Sequence, residues 1–348
     1  MNEIARMAAG ARAEIFAETA DRKGVAEAII EKDFWVCWTL KQLFSMDALS
    51  GRLLFKGGTS LSKIFHAINR FSEDIDLAVD YAALGFIGDR DPRREGISRS
   101  RRTAILADMM TQCQRYVGGE FLQALSARCE EVLGAGDTWT LEVDPQDPNT
   151  IRFRYPAPSS NALAYVNPQV VLELGTHAEF VPHDHFTIRS FIAEEFPKLI
   201  ADGDVPVVAL LAKRTFWEKV TILHAEFHRP ADKALPDRYS RHYYDVAMLA
   251  QGPIRDEALG DMNLLDQVVR HKQAFYPSAW AHYASAHSGS LHLLPAPERR
   301  LALERDYRNM GVMLFGEPPL FAAIMETLRA LESEINAGNP ATSSSQSS

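Results

Sequence analysis

The sequence predicts a mixed α/β domain followed by a helical domain, and three observations support this fold class. Short apolar runs that end at glycine or alternate with polar residues are typical of strands, and they occur within the first 205 residues. Apolar residues at helical spacing dominate from about residue 211 onward. A chain of 348 residues is also long enough for about two domains.

The first elements are read from apolar periodicity. Residues 2–20 and 24–45 are predicted to be amphipathic helices, because apolar residues in the second recur at helical spacing. Residues 52–56 form a short apolar run that predicts a strand. Residues 74–79 begin with alternating polar and apolar residues, which predicts a half-buried strand.

Gly57 and Gly58 predict a tight turn between the first strand and a helix. Thr59 or Ser60 is expected to cap that helix. Its buried face is expected to hold four apolar residues, namely Leu61, Ile64, Phe65 and Ile68. Backbone N–H groups at such a turn favour a phosphate, although the segment lacks the second glycine of the Walker A pattern.

Apolar runs and the polar segments between them predict the remaining elements. A loop is predicted over 85–102, with helices at 99–117 and 119–133. Strands are expected at three further runs, 139–143, 151–155 and 169–174. The apolar run 205–210 is ambiguous between a strand and the start of a helix. Breaks in the helical part are expected near 229–237 and 288–297.

Three regions result. The first domain is expected at 1–205, with a helical segment at 1–48 and a core from 49. A helical domain is expected at 206–336. Residues 337–348 have almost no apolar content and are predicted to be a disordered tail.

Composition narrows the class of protein. An apolar share of 46% with 24% charged residues is typical of a soluble globular protein, and no apolar run approaches a membrane span. The N-terminus lacks the pattern of a signal peptide. Three cysteines without metal-like spacing argue against a disulfide framework, so a cytoplasmic location is expected. The net charge of −9 argues against non-specific DNA binding over the whole surface.

Asp74 and Asp76 form a D-x-D pattern on a predicted strand. Residues two apart on a strand project to the same face, so both carboxylates can point to one spot. Paired carboxylates repel unless a cation lies between them, and Mg²⁺ is the natural partner, with Mn²⁺ as an alternative. A solvent-facing polar strand is the competing interpretation.

Glu173 is the candidate for a third carboxylate, because it is a lone charge in the apolar run 169–174. A buried carboxylate normally needs a cation or a partner. An edge-strand residue that faces water is the alternative, and Asp144 or Glu142 are possible substitutes. The order of strand, glycine turn, helix and D-x-D strand brings the phosphate turn and the metal ligands to adjacent strand ends. Such an arrangement suits two-metal nucleotide transfer.

These motifs resemble those of the DNA polymerase β superfamily. The stretch FKGGTSLSKIFHAINRFSEDIDLAVD more closely resembles the signature of the AbiEii/AbiGii-type nucleotidyltransferase toxins. The resemblance implies a minimal, polymerase β-like mixed sheet with flanking helices and a C-terminal helical domain. It also implies a nucleotide-binding segment at Gly57–Ser60, which Lys63 assists from one turn into the helix, and metal ligands at Asp74, Asp76 and Glu173.

Two later segments resemble further elements of that family. Phe216–Lys219 resembles its E-K element, and Arg241–Asp245 resembles its R-[DH]-x-x-D element. The resemblance implies that Lys219 contacts the nucleotide phosphates and that Asp245 completes the catalytic set with Asp74 and Asp76. A lysine is a compact point charge that suits a triphosphate, and Asp245 could orient it.

The resemblance implies a function as well. The chain is expected to transfer NMP from an NTP to an acceptor, most plausibly the 3′ end of a tRNA. It is expected to act as the toxin of an abortive-infection, phage-defence system that a separately encoded antitoxin counteracts. The alternatives are nucleotidylation of a small molecule or a protein, and a non-catalytic nucleotide-binding module.

Charge pattern supports an RNA acceptor. Residues 90–102 carry six arginines, and three more, Arg229, Arg238 and Arg241, lie between Lys219 and Asp245. Two basic segments beside a cleft would suit a phosphate backbone. The alternative is that the arginines of 90–102 pair with carboxylates of the protein itself.

Histidine pairs offer a competing metal-hydrolase interpretation. His224 and His228 are four apart on a predicted helix, but Glu226 is in the wrong position for H-E-x-x-H. His183 and His185 form an H-x-H pattern. Both pairs are expected to be exposed to solvent or to support neighbouring residues.

Overall fold

A computed structural model describes residues 1–72, 74–157 and 167–338. The chain divides into two compact units, each described by itself below. The sheet unit comprises residues 1–65 and 71–210, and the helical unit comprises residues 66–70 and the chain from Leu211 onward. The predicted disordered tail lies outside the described residues from residue 339 onward, whereas Ala337 still belongs to a helix.

The described residues of the sheet unit contain seven strands. Their bounds are β1 Leu53–Lys56, β2 Asp74–Val79, β3 Thr140–Val143, β4 Thr150–Arg154, β5 Gln169–Gly175, β6 His183–Ile188 and β7 Val205–Leu210. They form one mixed sheet in the order β3-β4-β5-β2-β1-β7-β6. The pairs β2–β5 and β1–β7 are parallel, and the other neighbours are antiparallel. The ambiguous run 205–210 is therefore a strand.

Helices of the sheet unit flank this sheet. Their bounds are α1 Asn2–Arg6, α2 Ala9–Lys23, α3 Glu27–Ser45, α4 Gly57–Lys63, α5 Arg99–Tyr116, α6 Leu122–Leu133 and α7 Phe191–Glu195. Apolar residues of α3, such as Phe34 and Trp35, share one core with Phe55, Leu77 and Leu172 of the strands. The predicted mixed sheet with flanking helices is confirmed.

The predicted helix 2–20 is wrong as a single element. Met7 and Ala8 have extended backbone conformations, which separate α1 from α2. The guanidinium of Arg12 donates hydrogen bonds to the carbonyls of Ala5 and Met7, at 3.1 and 2.5 Å. The helix end at this break is thus satisfied by a side chain that the apolar periodicity does not reveal.

The helix after the glycine turn is also shorter than predicted. α4 begins at Gly57 and ends at Lys63, so Ile64, Phe65 and Ile68 lie outside it. His66 has a positive φ of 48°, which is incompatible with helical continuation. The predicted cap is wrong as well, because Thr59 and Ser60 lie within the helix and Lys56 precedes it without a side-chain cap.

The helix is not interrupted between α5 and α6. A π-helical turn over Val117–Phe121 joins the two predicted helices.

Strand β6 was not predicted from the sequence, because its solvent-exposed residues His183–His185 break the alternation that identifies a half-buried strand.

The helical unit contains six further α-helices in the described part of the chain. Their bounds are α8 Ala212–Phe227, α9 Ser240–Leu249, α10 Pro253–Leu259, α11 Met262–Phe275, α12 Arg300–Asn309 and α13 Phe321–Ala337. The predicted break near 229–237 is confirmed. The second break is longer than predicted, because no α-helix is assigned between Tyr276 and Arg299. Within the described ranges, no helix combines the length and apolar character that crossing a membrane requires.

Candidate active site

The D-x-D carboxylates lie on the sheet face opposite the main core. Ile75 and Leu77 of β2 are buried in that core, whereas Asp74 and Asp76 alternate with them and remain half-buried. The parallel register of β2 and β5 pairs Asp76 directly with Glu173. Side chains of paired residues project to the same face, about 5 Å apart across the ladder. The sheet register therefore aligns three carboxylates on one face.

Glu173 is exposed, and its strand is not an edge strand. β5 lies between β4 and β2, so the edge-strand alternative is wrong. The expectation of a buried carboxylate is also wrong, because Glu173 lies on the sheet face with Asp76 and not in the core. Its row across the sheet continues to Thr150 on one side and, beyond Asp76, to Lys56 on the other.

The two substitute carboxylates are engaged with arginines. Asp144 forms an ion pair with Arg152 at 2.5 Å, and the Gln146 N–H and Arg152 together lower the pKa of Asp144. Glu142 lies 3.8 Å from Arg154. Neither has a β-ladder pairing with β2, which makes Glu173 the best positioned third carboxylate.

The carboxylates of Asp74, Asp76 and Glu173 are the ligand type that a hard divalent cation prefers, and their backbone positions lie side by side in the sheet. Mg²⁺ prefers carboxylate oxygens and usually takes one or two of them together with substrate phosphates. Within residues 1–72, 74–157 and 167–338, no three acidic, histidine or cysteine side chains converge on one point. Asp74, Asp76 and Glu173 nevertheless share one face of the sheet, with Asp76 and Glu173 directly paired.

Gly57 is required by its contact with Asp76. It has a φ of 80°, and a Cβ atom at this position would lie 1.8 Å from Oδ2 of Asp76. Any side chain would therefore displace the carboxylate as well as strain the backbone. The glycine turn and the D-x-D strand are thus in direct contact, as the order of the motifs predicted.

Polar side chains of α4 donate hydrogen bonds to backbone carbonyls of the sheet unit. The Thr59 hydroxyl donates to the backbone carbonyl of Asp74, and the Ser60 hydroxyl donates to the carbonyl of Gly57 at 2.9 Å. Gly58 is buried in the same helix. These contacts fix α4 against β2 and leave the backbone N–H groups of the first turn as the donors that could meet a phosphate.

Lys63 forms a buried ion pair. Its ammonium lies 2.6 Å from Oδ1 of Asp33 and 4.1 Å from the ring centre of Phe191. Burial lowers the pKa of Lys63, but the nearby Asp33 carboxylate outweighs it and the pKa is raised. The other oxygen of Asp33 accepts from the backbone N–H of Phe191 at 2.6 Å. Lys63 thus links α4 to α3 and α7.

Lys219 and Asp245 meet in the helical unit. Nζ of Lys219 lies 2.8 Å from Oδ2 of Asp245, and both residues are buried. Arg70 contacts both oxygens of the same carboxylate, through Nε at 2.7 Å and Nη2 at 2.9 Å. Burial raises the pKa of Asp245, but Arg70 and Lys219 outweigh it and hold the pKa well below its usual range. Two cations thus share one buried carboxylate.

Arg70 is a residue that sequence reasoning missed. It opens the R-F-S-E-D-I-D run, where it received no role. An isolated β-bridge pairs its backbone with that of Leu314. Its side-chain partner Asp245 is 175 residues away along the chain. No spacing rule connects the two positions. The one hint in the sequence is that Arg70 lies only four residues before Asp74.

The histidine pairs differ from each other. His183 and His185 are exposed on β6, as expected. His224 is buried and supports neighbouring residues, which is the second of the two expected alternatives. Its Nδ1 accepts from the backbone N–H of His292 at 3.2 Å, and its Nε2 lies 3.2 Å from both the carbonyl of His282 and the hydroxyl of Ser285. Burial lowers its pKa to about 4, so His224 is neutral and structural.

Comparisons with known proteins identify the family. MenT4, a nucleotidyltransferase toxin from Mycobacterium tuberculosis, has 16% sequence identity and a TM-score of 0.47, with 94% of this chain and 91% of MenT4 covered. JHP933 from Helicobacter pylori has 12% identity and a TM-score of 0.33, with 87% and 95% covered. No curated protein matches the chain. The model of the family described as nucleotidyl transferase AbiEii toxin, type IV toxin–antitoxin system, matches residues 38–328. The chain therefore belongs to the AbiEii family and is a nucleotidyltransferase.

Proposed function

We propose that this nucleotidyltransferase transfers NMP from an NTP to the 3′ end of an RNA, most plausibly a tRNA, with the help of divalent metal ions. The observation that carries the proposal is the alignment of Asp76 with Glu173, directly beside Gly57. Carboxylates next to a glycine turn suit a metal-bound triphosphate. Mg²⁺ is the proposed ion, with Mn²⁺ as an alternative.

The proposed reaction needs little covalent chemistry from the protein. The acceptor hydroxyl oxygen bonds to the α-phosphorus, the bond to the pyrophosphate oxygen breaks, and the hydroxyl proton leaves to solvent. Metal ions, when bound, stabilise the charge that develops on the phosphoryl oxygens. Asp74, Asp76 and Glu173, on one face of the sheet, would hold those ions, and the backbone N–H groups of α4 at Gly57–Ser60 would contact the phosphates.

Lys219 is the proposed phosphate-binding cation, and Asp245 is its positioning residue. A buried ammonium with one carboxylate contact retains donors for a phosphate oxygen. Arg70 supplies a second cation to Asp245, so Asp245 does not depend on Lys219 alone for its counter-charge. Lys63 is already bound to Asp33. Its proposed contribution to nucleotide binding is therefore to position α4.

RNA is the favoured acceptor, and a small molecule or a protein is the second candidate. The catalytic residues alone cannot distinguish acceptors, because in-line transfer needs only a positioned hydroxyl. Sequencing RNA 3′ ends after incubation with each NTP tests the proposal. Nucleotides added to tRNA ends are expected, whereas unextended RNA with a labelled protein or small molecule would overturn the RNA assignment.

Membership of a toxin family implies an antitoxin partner. We propose that the antitoxin is a separate protein encoded nearby and that the system acts by abortive infection. Expression of the active chain should arrest growth, and co-expression of the neighbouring gene should relieve the arrest. Asp76→Asn is the matched control, since it should express to the same level without arrest. Harmless expression of an active wild type would contradict the toxin role.

A further inference from the structure

The two basic segments, residues 90–102 and the stretch from Arg229 to Arg241, differ in how their cationic side chains are paired. In residues 90–102, three arginines pair with nearby carboxylates: Arg90 with Asp108, Arg93 with Asp91 and Glu179, and Arg94 with Asp89. The alternative that this segment pairs with the protein's own carboxylates therefore holds for these three. A surface for a polyanion is better sought in the segment after α8.

Arg229 follows α8 and lies between two aromatic rings. Its guanidinium centre is 4.8 Å from the ring centre of Trp280 and 5.8 Å from that of Tyr239. The buried Glu226 binds the same guanidinium through both oxygens, at 2.5 and 2.8 Å. This ion pair fixes the orientation of the guanidinium between half-buried rings.

Lys233 adds an exposed cation to the same place. Its ammonium is 5.4 Å from the ring centre of Trp280. Arg299 donates hydrogen bonds to the carbonyls of Pro230 and Lys233, at 2.6 and 2.7 Å. The loop that carries Lys233 is thus anchored at two points. Two acidic residues in this loop, Asp232 and Asp237, are exposed and moderate the positive charge.

We infer that Arg229, Lys233, Tyr239 and Trp280 form a platform that binds unpaired nucleotides of the RNA acceptor. Aromatic rings stack bases without regard to sequence, and cations beside the rings hold the phosphates. The platform lies at the C-terminal end of α8, about 12 Å along the helix from Lys219. A strand bound there would follow the helix that carries the proposed phosphate-binding lysine. The inference rests on the proposed RNA acceptor.

Binding measured without NTP or metal separates this platform from catalysis. The probe is a short unstructured fluorescent oligoribonucleotide, with a duplex of the same length as comparison. Trp280→Ala should weaken single-strand binding about tenfold or more, whereas Trp280→Phe keeps a stacking ring and should stay near wild type. Lys233→Ala should reduce the slope of log affinity against log salt by about 0.7, the value of one phosphate contact on a single strand.

Lys272→Ala is the matched control, because Lys272 makes a similar cation–ring contact, 4.6 Å from the ring centre of Tyr276, that involves none of the platform residues. It should leave binding unchanged, and thermal unfolding should confirm the fold of each variant. Wild-type affinity in folded Trp280→Ala and Lys233→Ala proteins overturns the platform. Intact RNA binding with lost neutralisation by the antitoxin also overturns it, in favour of a protein interface. Platform-dependent binding without any RNA extension supports the platform and instead defeats the proposed function.

Discussion

The sheet unit and the helical unit hold their candidate functional charges in opposite ways. In the sheet unit, Asp76 is half-buried and Glu173 is exposed, and the strand register places them side by side. In the helical unit, Asp245 is fully buried and held by ion pairs to Arg70 and Lys219. The carboxylate face is therefore accessible to solvent, whereas the cationic cluster is buried and preorganised by its ion pairs. Substitutions in the first should affect chemistry alone, and those in the second should affect both chemistry and stability.

Asp76→Asn should have the largest effect on activity. The amide keeps the size of the side chain but lacks the charge that a metal ion requires, so transfer should fall below detection. The free energy of unfolding should stay within about 0.5 kcal/mol of wild type, because the residue is not part of the core. Steady-state transfer and denaturant unfolding check both parts.

A matched control for that variant is Asp184→Asn, an exposed carboxylate on β6 of the same sheet. It should retain wild-type transfer. Activity that persists in Asp76→Asn would remove the carboxylate face from the mechanism.

Lys219→Ala should reduce turnover by about 10²–10³, the usual loss when a group that stabilises developing charge is removed. Arg70 still pairs with Asp245 in this variant, so the fold should survive. Lys213→Ala is the matched control, since Lys213 lies on the same helix and pairs with Asp261 at 2.9 Å. A loss of only a few-fold in Lys219→Ala would identify Lys219 as a structural residue.

Asp245→Ala should show the stability difference between the units most clearly. It leaves Arg70 and Lys219 buried without their shared carboxylate, which typically costs about 3–5 kcal/mol. Chemical denaturation measures the loss, and turnover should fall with it. A variant as stable as Asp76→Asn would mean that the cluster is not preorganised in the way the ion pairs indicate.

The smallest expected effects are pH dependences of opposite sign. Burial lowers the pKa of His224 to about 4 from about 6.5 in unfolded chains, so its contribution to stability is lost as pH falls through that window. Burial raises the pKa of Glu31 to about 7 from about 4.3, so its contribution is lost as pH rises from about 4.3 to 7. His224→Gln and Glu31→Gln should each remove one dependence. Unfolding curves at several pH values that match wild type would contradict these assignments.

Local patterns predicted the carboxylate face better than the cationic cluster. Alternation identified β2, and the order of the motifs predicted that the glycine turn and the D-x-D strand lie side by side, where Gly57 contacts Asp76. Strand β6 escaped prediction because its exposed polar residues do not alternate with apolar ones. The pairing of Arg70 with Asp245 could not be read from the chain, because 175 residues separate them and tertiary packing alone brings them together.

Metal removal tests the central claim most directly. Wild-type protein should be incubated with each α-labelled NTP and total RNA, first with a chelator and then after Mg²⁺ or Mn²⁺ is restored. If Asp74, Asp76 and Glu173 hold the ions of nucleotide transfer, label should enter RNA only after a divalent ion is restored. Label that enters RNA equally in the presence of the chelator would contradict the proposed mechanism.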